Sequence, residues 1–179
     1  MAQPSVLSQS RPTLANAVRA YVSVDAPLIA LTHVRVIDGT GAAPREDQTL
    51  IMRDGIIAAI GDFASTPVPA GATTIDLTGK SVIPGLVMVH EHLYYPNGPG
   101  VYGQLGESFS RLYLSGGVTT MRTGGNVNGS MDLNMMRLVE SGQKPGPSID
   151  ATAPYWNGPN TFIHMRTLRG PEDARRQVQ

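Results

Sequence analysis

The chain has 179 residues, a formal net charge of zero and 41% hydrophobic residues, which suits a globular protein of one ordinary domain or two small ones. A neutral chain without a basic block argues against a nucleic acid or a membrane surface as partner, and no apolar run approaches the length of a membrane span. Because cysteine is absent, disulfides and thiolate metal sites are excluded, and His, Asp, Glu and Lys remain as candidate ligands.

Residues 1–27 are polar, and we expect an N-terminal tail with weak helical spacing around Leu14, Val18 and Val22. They lack the apolar core of a signal peptide. A mature exported protein would lack it as well, so the sequence is compatible with a cytoplasmic location and with an exported or periplasmic one.

Residues 28–84 are predicted to form a small β-domain, a sandwich or a meander, because short apolar strands alternate with turns. The clearest signal is Asp54-Gly55 between two apolar runs, since a two-residue Asp-Gly loop favours the type I′ turn of a β-hairpin. The predicted strands span residues 28–37, 49–53, 56–60 and 74–77.

Residues 85–179 repeat a strand and helix pattern three times, which indicates parallel α/β architecture. The first strand, residues 86–89, is continuously apolar, as expected for a strand buried on both faces. The other strands are predicted at 118–121 and 147–152, and the helices at 103–115, at 131–141 and from Gly170 onward. Ser130 is the predicted N-cap of the second helix, and Gly142 is predicted to end it.

His90 and His92 stand at the end of the first apolar strand. Side chains two residues apart on a strand point to the same face, and two imidazoles placed in this way can bind one Zn²⁺ or a similar cation. At the C-terminal end of a parallel strand they would face the region where such folds place active sites. Two surface histidines at a strand end are the alternative explanation of the pattern.

Three ordered motifs surround this histidine pair. Residues 54–61 read DGIIAAIG, residues 75–92 read IDLTGKSVIPGLVMVHEH, and residues 117–125 read GVTTMRTGG. Together they resemble the amidohydrolase superfamily, whose members include hydantoinases, dihydroorotases, imidazolonepropionases and prolidase-like peptidases. The likeness runs from about Leu28 to Ala151 and so covers most of the chain.

The resemblance implies a (β/α)8 TIM barrel with a β-sandwich built from both chain ends, and residues 85–179 would supply the first three β/α units of an incomplete barrel. It also implies that His90 and His92 bind a divalent metal, Zn²⁺ as one or two ions. The remaining ligands would come from later strands: a carboxylated Lys, two His and a final Asp that acts as general base. No catalytic residue is therefore expected in this chain. Met88 stands where the family usually has an Asp, and Thr123 stands where many relatives have an acid.

Side chains at the C-terminal tips of the predicted barrel strands are candidates for substrate binding, because functional residues collect there. A packing role is the alternative for each of them. The candidates are Tyr94, Tyr95, Arg122, Tyr155, Trp156 and Asn157. His164, in the following loop, is expected to be an ordinary surface residue, and Lys80 and Lys144 lie in turns that cannot supply the bridging Lys.

The resemblance, together with the histidine pair, implies a metal-dependent hydrolase that cleaves C–N bonds in amides, small peptides or cyclic amides with metal-activated water. The chain alone is expected to be inactive. Its expected partners are a small-molecule substrate and a second copy or complementary chain. A non-catalytic fragment or truncated paralogue that needs such a chain is the first alternative. A dinucleotide-binding α/β domain is the second, because residues 98–103 match G-x-G-x-x-G, although the next strand lacks the acid that would bind the ribose.

Overall fold

The computed structural model describes residues 11–99, 101–128, 130–160 and 166–178. The chain divides into two units at Pro84 and Gly85, and Thr13–Tyr21 groups with the second of them. No helix in these ranges is long and apolar enough to cross a membrane.

The first unit is a single mixed β-sheet. Its strands are β1 Leu28–Val36, β2 Arg45–Arg53, β3 Ile56–Asp62, β4 Thr73–Asp76 and β5 Ser81–Val82. They are ordered β3-β2-β1-β4, and β5 also pairs with β1. β2 runs antiparallel to both neighbours, whereas β4 and β5 run parallel to β1. β1, β2 and β3 follow one another as in a meander, but the chain then crosses over so that β4 lies parallel to β1. The part of this unit that the structure describes forms one sheet rather than the two of a sandwich.

The β2–β3 hairpin turns at Asp54 and Gly55, as predicted. Both residues have positive φ, 51° and 82°, which is the type I′ conformation. β2 begins at Arg45, earlier than the apolar pattern indicated, because its polar first half also pairs with β3 and β1. The buried side chain of Gln48 donates a hydrogen bond to Asp62 Oδ1 at 2.8 Å.

The second unit contains a parallel sheet covered by helices. Its elements are α1 Asn16–Arg19, β6 Leu86–Glu91, β7 Tyr94–Gly98, β8 Val101–Gln104, α2 Gly106–Ser115, β9 Val118–Thr123, α3 Met131–Glu140, β10 Ser148–Asp150, β11 Trp156–Asn157, β12 Arg166–Thr167 and α4 Pro171–Val178. The parallel sheet has the order β10-β9-β6. Its core, against which residues of α2 and α3 pack, consists of Leu93, Val118, Met121, Met135 and Ile149. The predicted alternation of parallel strands and helices is confirmed.

β6 is not buried on both faces as predicted. Val87 is 62% exposed and Val89 is 76% exposed, whereas Met88 packs against the core. Within the described residues β6 is the edge strand of its sheet, and only the face toward the helices is covered. An apolar sequence indicates that a strand can be buried on both faces. Whether it is buried depends on what packs against each face.

The helix predicted at residues 103–115 begins at Gly106, because the preceding residues form the antiparallel β7–β8 hairpin. Gly98 and Gly103 both lie in this hairpin, where Tyr95 pairs with Gly103. Gly100 lies outside the described residues. A dinucleotide fingerprint needs its glycines in a tight turn between a strand and a helix, so the dinucleotide-binding alternative lacks its structural basis.

α1 lies inside the segment that was expected to be a tail. Val18 is buried, and the Ala15 N–H donates to the carbonyl of Gly142 at 2.9 Å. Gly142 has a φ of 72° and follows the end of α3, as predicted.

Ser130 occupies the N-cap position of α3, as predicted, but its side chain makes no cap hydrogen bond. Asn128 Oδ1 accepts the backbone N–H groups of Ser130 and Met131 at 3.1 and 2.9 Å. A side chain two residues before the N-cap therefore supplies the hydrogen bonds at this helix end.

Replacing Gly55 by Ala should lower the free energy of unfolding by about 1–2 kcal/mol. A residue with a Cβ is less stable in the left-handed conformation by about this amount. No atom lies within 4 Å of the added Cβ, so the loss would come from the backbone alone. Gly55→Asn is the matched control, since Asn tolerates positive φ, and it should lose less. Equal urea unfolding midpoints for Gly55→Ala and wild type would contradict this assignment.

Candidate metal centre

His90 and His92 lie together at the C-terminal end of β6. Their ring centroids are 5.2 Å apart, and the ring planes are nearly perpendicular at 82°. His90 is exposed and His92 is half-buried. The structure thus brings the two predicted ligands to one place.

A β-bulge precedes the second histidine. Met88 pairs with Met121 of β9 and Glu91 pairs with Thr123, so a step of three residues on β6 faces a step of two on β9. Such a bulge re-aims the side chains that follow it. Met88 packs on the core and Glu91 contacts α2, so both face the helices although they are three residues apart. Because neighbouring side chains on a strand alternate, this leaves the histidine before Glu91 on the opposite face.

Glu91 is held by Tyr113 of α2. The Tyr113 hydroxyl donates to Glu91 Oε2 at 2.7 Å and lies 3.2 Å from the carbonyl oxygen of His92. Burial raises the pKa of Tyr113, and its bond to Glu91 adds to that shift. The Tyr113 hydroxyl therefore keeps its proton and remains a hydrogen-bond donor. Its bond to Glu91 holds the residue that lies between the two histidines.

Gly124 and Gly125 follow β9 and lie against the site. The Gly124 N–H donates to the carbonyl of Glu91 at 2.8 Å, and a Cβ on Gly124 would collide with the ring of His90. Gly125 has a φ of 105°, and its Cβ would come within 2.7 Å of Tyr155 Cζ. Both positions need glycine, because the backbone approaches the aromatic rings too closely for any side chain.

Tyr94 and Tyr155 lie beside His92. The His92 ring centroid is 4.8 Å from that of Tyr94 and 6.5 Å from that of Tyr155. The two phenol oxygens are 2.9 Å apart and share a hydrogen bond. Burial raises the pKa of Tyr94, and the bond to Tyr155 raises it further, so its hydroxyl stays protonated. Two of the predicted substrate-binding residues therefore form a wall next to the histidine pair.

The other predicted substrate-binding residues make different contacts. Tyr95 is 58% exposed, and its ring contacts Phe109 of α2. Arg122 is exposed and forms an ion pair with Asp150, at 3.7 Å, across the tips of β9 and β10. Trp156 and Asn157 form β11 and pair with β12. His164 lies outside the described residues.

Buried hydroxyl groups join the tips of β9 and β10. Thr123 Oγ1 accepts the backbone N–H of Thr152 at 2.9 Å, and Thr152 Oγ1 accepts the N–H of Gly125 at 2.7 Å. Asn126 is buried, and its Nδ2 donates to the Thr152 carbonyl at 2.9 Å. Thr123 therefore has a structural role between the strands.

Asp132 is a buried acid that the sequence analysis missed. It lies in the first turn of α3, is 2% exposed and bonds to Thr123. Burial raises the pKa of its carboxyl group, while the bond to Thr123 and the attraction of His92 oppose that shift. Asp132 falls at helical spacing with the apolar residues Met135 and Val139. An acid on the apolar face of a helix was the signal that could have found it.

The histidine pair could provide only two ligands of a metal site. Two imidazoles that are two residues apart at one strand end suit Zn²⁺, and Gly124 leaves room for the ring of His90. A group of three or more His, Cys, Asp or Glu side chains suited to a metal is not found in the described part of the chain.

The chain is similar in sequence to an imidazolonepropionase and an enamidase. It is 32% identical over 133 residues to an imidazolonepropionase of Nocardia farcinica, a match that covers 70% of this chain and 31% of the relative. It is 34% identical over 93 residues to an enamidase of Eubacterium barkeri, covering 51% of this chain and 24% of the relative. No family model matches the chain.

The fold is also similar to solved structures. A provisionally named prolidase from Bifidobacterium longum superposes with a TM-score of 0.71 and 30% identity, over 84% of this chain and 37% of that structure. The chain therefore spans about a third or less of the length of the sequence relatives, and little more than a third of this structure.

Gly124→Ala should displace the ring of His90 and cost about 1–3 kcal/mol of stability, the usual range for overpacking. Gly116→Ala is the matched control, since its Cβ would meet only carbonyl oxygens at 3.5–3.6 Å. The measurements are urea unfolding and the NMR shifts of the His90 ring. Unchanged His90 shifts in Gly124→Ala would contradict the close approach.

Tyr94→Phe and Tyr155→Phe should each lower the free energy of unfolding. The loss in the double variant should differ from the sum of the two single losses. The hydrogen bond between the two hydroxyls predicts a coupling of about 0.5–1.5 kcal/mol in a double-mutant cycle. Tyr21→Phe serves as a control, because its hydroxyl bonds an exposed Arg111 instead. Additive effects of the two substitutions on the free energy of unfolding would show that the bond contributes nothing.

Proposed function

Since this chain belongs to the amidohydrolase superfamily, we propose that it supplies two metal ligands to a hydrolase that cleaves C–N bonds. The substrate class is an amide, a small peptide or a cyclic amide. The observation that carries the proposal is the pairing of His90 and His92 at the tip of β6, with ring centroids 5.2 Å apart.

His90 and His92 would hold a divalent cation, Zn²⁺ by preference, through ring nitrogens, and neither would transfer a proton. When bound, such a cation lowers the pKa of water and polarises a carbonyl group. The chain's own contribution is to orient the two rings. Tyr113 does so through Glu91, and Gly124 does so by leaving the ring of His90 its space.

Tyr94 and Tyr155 would bind the substrate at the wall beside His92. Each hydroxyl can donate or accept a hydrogen bond, and each can turn from its partner toward a carbonyl or an amide of the substrate. Arg122, at the tip of β9, is exposed and carries a charge that suits an anionic substrate group, at the expense of its ion pair with Asp150.

The remaining ligands and the general base would come from outside the described residues, because no third ligand joins the histidine pair within them. We therefore propose that the 179-residue chain by itself does not turn over substrate. A complete barrel would also cover the exposed side of β6, where Val87 and Val89 are the most exposed apolar side chains.

A non-catalytic chain that pairs with a complementary chain is the second candidate. The exposed edge of β6 favours it, because an unpaired apolar edge strand readily recruits another strand. Metal binding separates the candidates, since the non-catalytic role makes no use of the two imidazoles.

Zn²⁺ affinity of the intact protein, measured by competition with a chromogenic chelator, tests the proposed function. His90→Ala and His92→Ala should each lower the affinity by more than the roughly 10–100-fold loss typical of outer-shell residues. His33→Ala is the matched control, because His33 lies on β1 and bonds Asp47, and it should leave the Zn²⁺ affinity unchanged. Equal affinities for all three variants and wild type would refute the metal site.

A further inference from the structure

Asp132 and His92 each bury a polar atom that has no hydrogen-bond partner within the described residues, namely Oδ2 and Nδ1. Buried polar groups in native proteins are rarely left unpaired, because the loss of hydration is costly. The two atoms are complementary, since a carboxylate oxygen accepts a hydrogen bond and an imidazole Nδ1–H donates one.

The fold and the electrostatics both place Asp132 near the histidine. Its carboxyl group bonds Thr123, which ends β9 and pairs with Glu91, the residue before His92. The carboxyl group also interacts electrostatically with His92 and with Tyr94, whose ring centroid is 4.8 Å from that of His92. Asp132 is therefore the buried acid nearest in the fold to the strand end that carries the histidine pair.

We propose that Asp132 is a positioning residue that accepts a hydrogen bond from the Nδ1–H of His92 through one bridging water molecule, and so leaves Nε2 free for the cation. The inference rests on the proposed role of His92 as a ligand. Histidines that bind metals commonly donate their other N–H to a carboxylate, which sets the tautomer and the ring orientation. In this chain the acid comes from α3, and Thr123 holds it in place.

A purely structural role for Asp132 makes a different prediction. If the carboxylate only bonded Thr123, its removal would lower stability and leave the state of His92 unchanged. The test therefore reads out the His92 ring and the metal affinity, and it records the unfolding midpoint of every variant separately.

The tautomer of His92 is the first readout, measured by ¹⁵N NMR of its ring nitrogens in the intact, metal-free protein. The hydrogen bond made by one ring nitrogen determines which tautomer is present, so the proton should reside on Nδ1 in wild type. Asp132→Leu should shift the population toward Nε2–H, whereas Asp132→Asn keeps a carbonyl acceptor and should preserve Nδ1–H. A proton on Nε2 in the wild-type protein would overturn the proposal, even if Asp132→Leu does not fold.

Zn²⁺ affinity is the second readout. Asp132→Leu should lower it by roughly 10–100-fold, and Asp132→Asn by less. Glu140→Gln is the matched control, because Glu140 is an exposed acid on the same helix, and it should change the affinity by less than about twofold. Wild-type affinity in both Asp132 variants would overturn the proposal. If wild type itself bound no Zn²⁺, the proposed function would fail, and the tautomer would still test the contact.

Discussion

The close approach of two backbones at the ends of β6 and β9 determines the geometry of the whole site. The Gly124 N–H donates to the carbonyl of Glu91, just where the parallel pairing of the two strands stops. This bond extends the sheet past its regular end, and the extra residue of β6 lies immediately before it. The two histidines flank the residue that accepts this bond, so their rings depend on the register between β6 and β9. Without a side chain at Gly124, the ring of His90 can pack directly on the β9 backbone.

Polar contacts hold the tips of β9 and β10 together. Thr123, Thr152 and Asn126 exchange hydrogen bonds with backbone groups of the segments that follow these strands. The apolar core lies away from these strand ends, between the middle of the sheet and the helices. This division is typical of parallel α/β proteins, in which the strand body provides stability and the strand ends carry side chains that act on ligands.

The sequence predicted the elements whose signal is local. The turn at Asp54-Gly55 was predicted from two residues, and the strand that carries His90 from a short apolar run. The proximity of the two histidines was predicted from their spacing of two residues. The β7–β8 hairpin was missed because Pro96 and the glycines around it resemble a loop, while its pairing depends on residues across the hairpin. The exposure of Val87 could not be foreseen, because burial depends on what packs against each face of the sheet.

The candidate site was predictable only where one segment supplies it. His90, His92 and Tyr94 are close in sequence, whereas Tyr155 reaches the site from far along the chain, and its contact with Tyr94 is a property of the fold. Asp132 was missed for the same reason, since a carboxyl group on a helix gives no sign of which strand end it will face. Long-range packing, and not residue type, decides these partners.

The hydrogen bond from Tyr113 to Glu91 has a consequence for coordination chemistry. Glu91 stands between the two imidazoles in the chain and would be the nearest anionic oxygen donor if it pointed the same way. Because the bulge turns it toward α2 and a phenol hydroxyl satisfies its oxygen, it would not compete for a cation bound by the two rings. Coordination positions that a carboxylate would saturate would thereby be kept for exchangeable ligands.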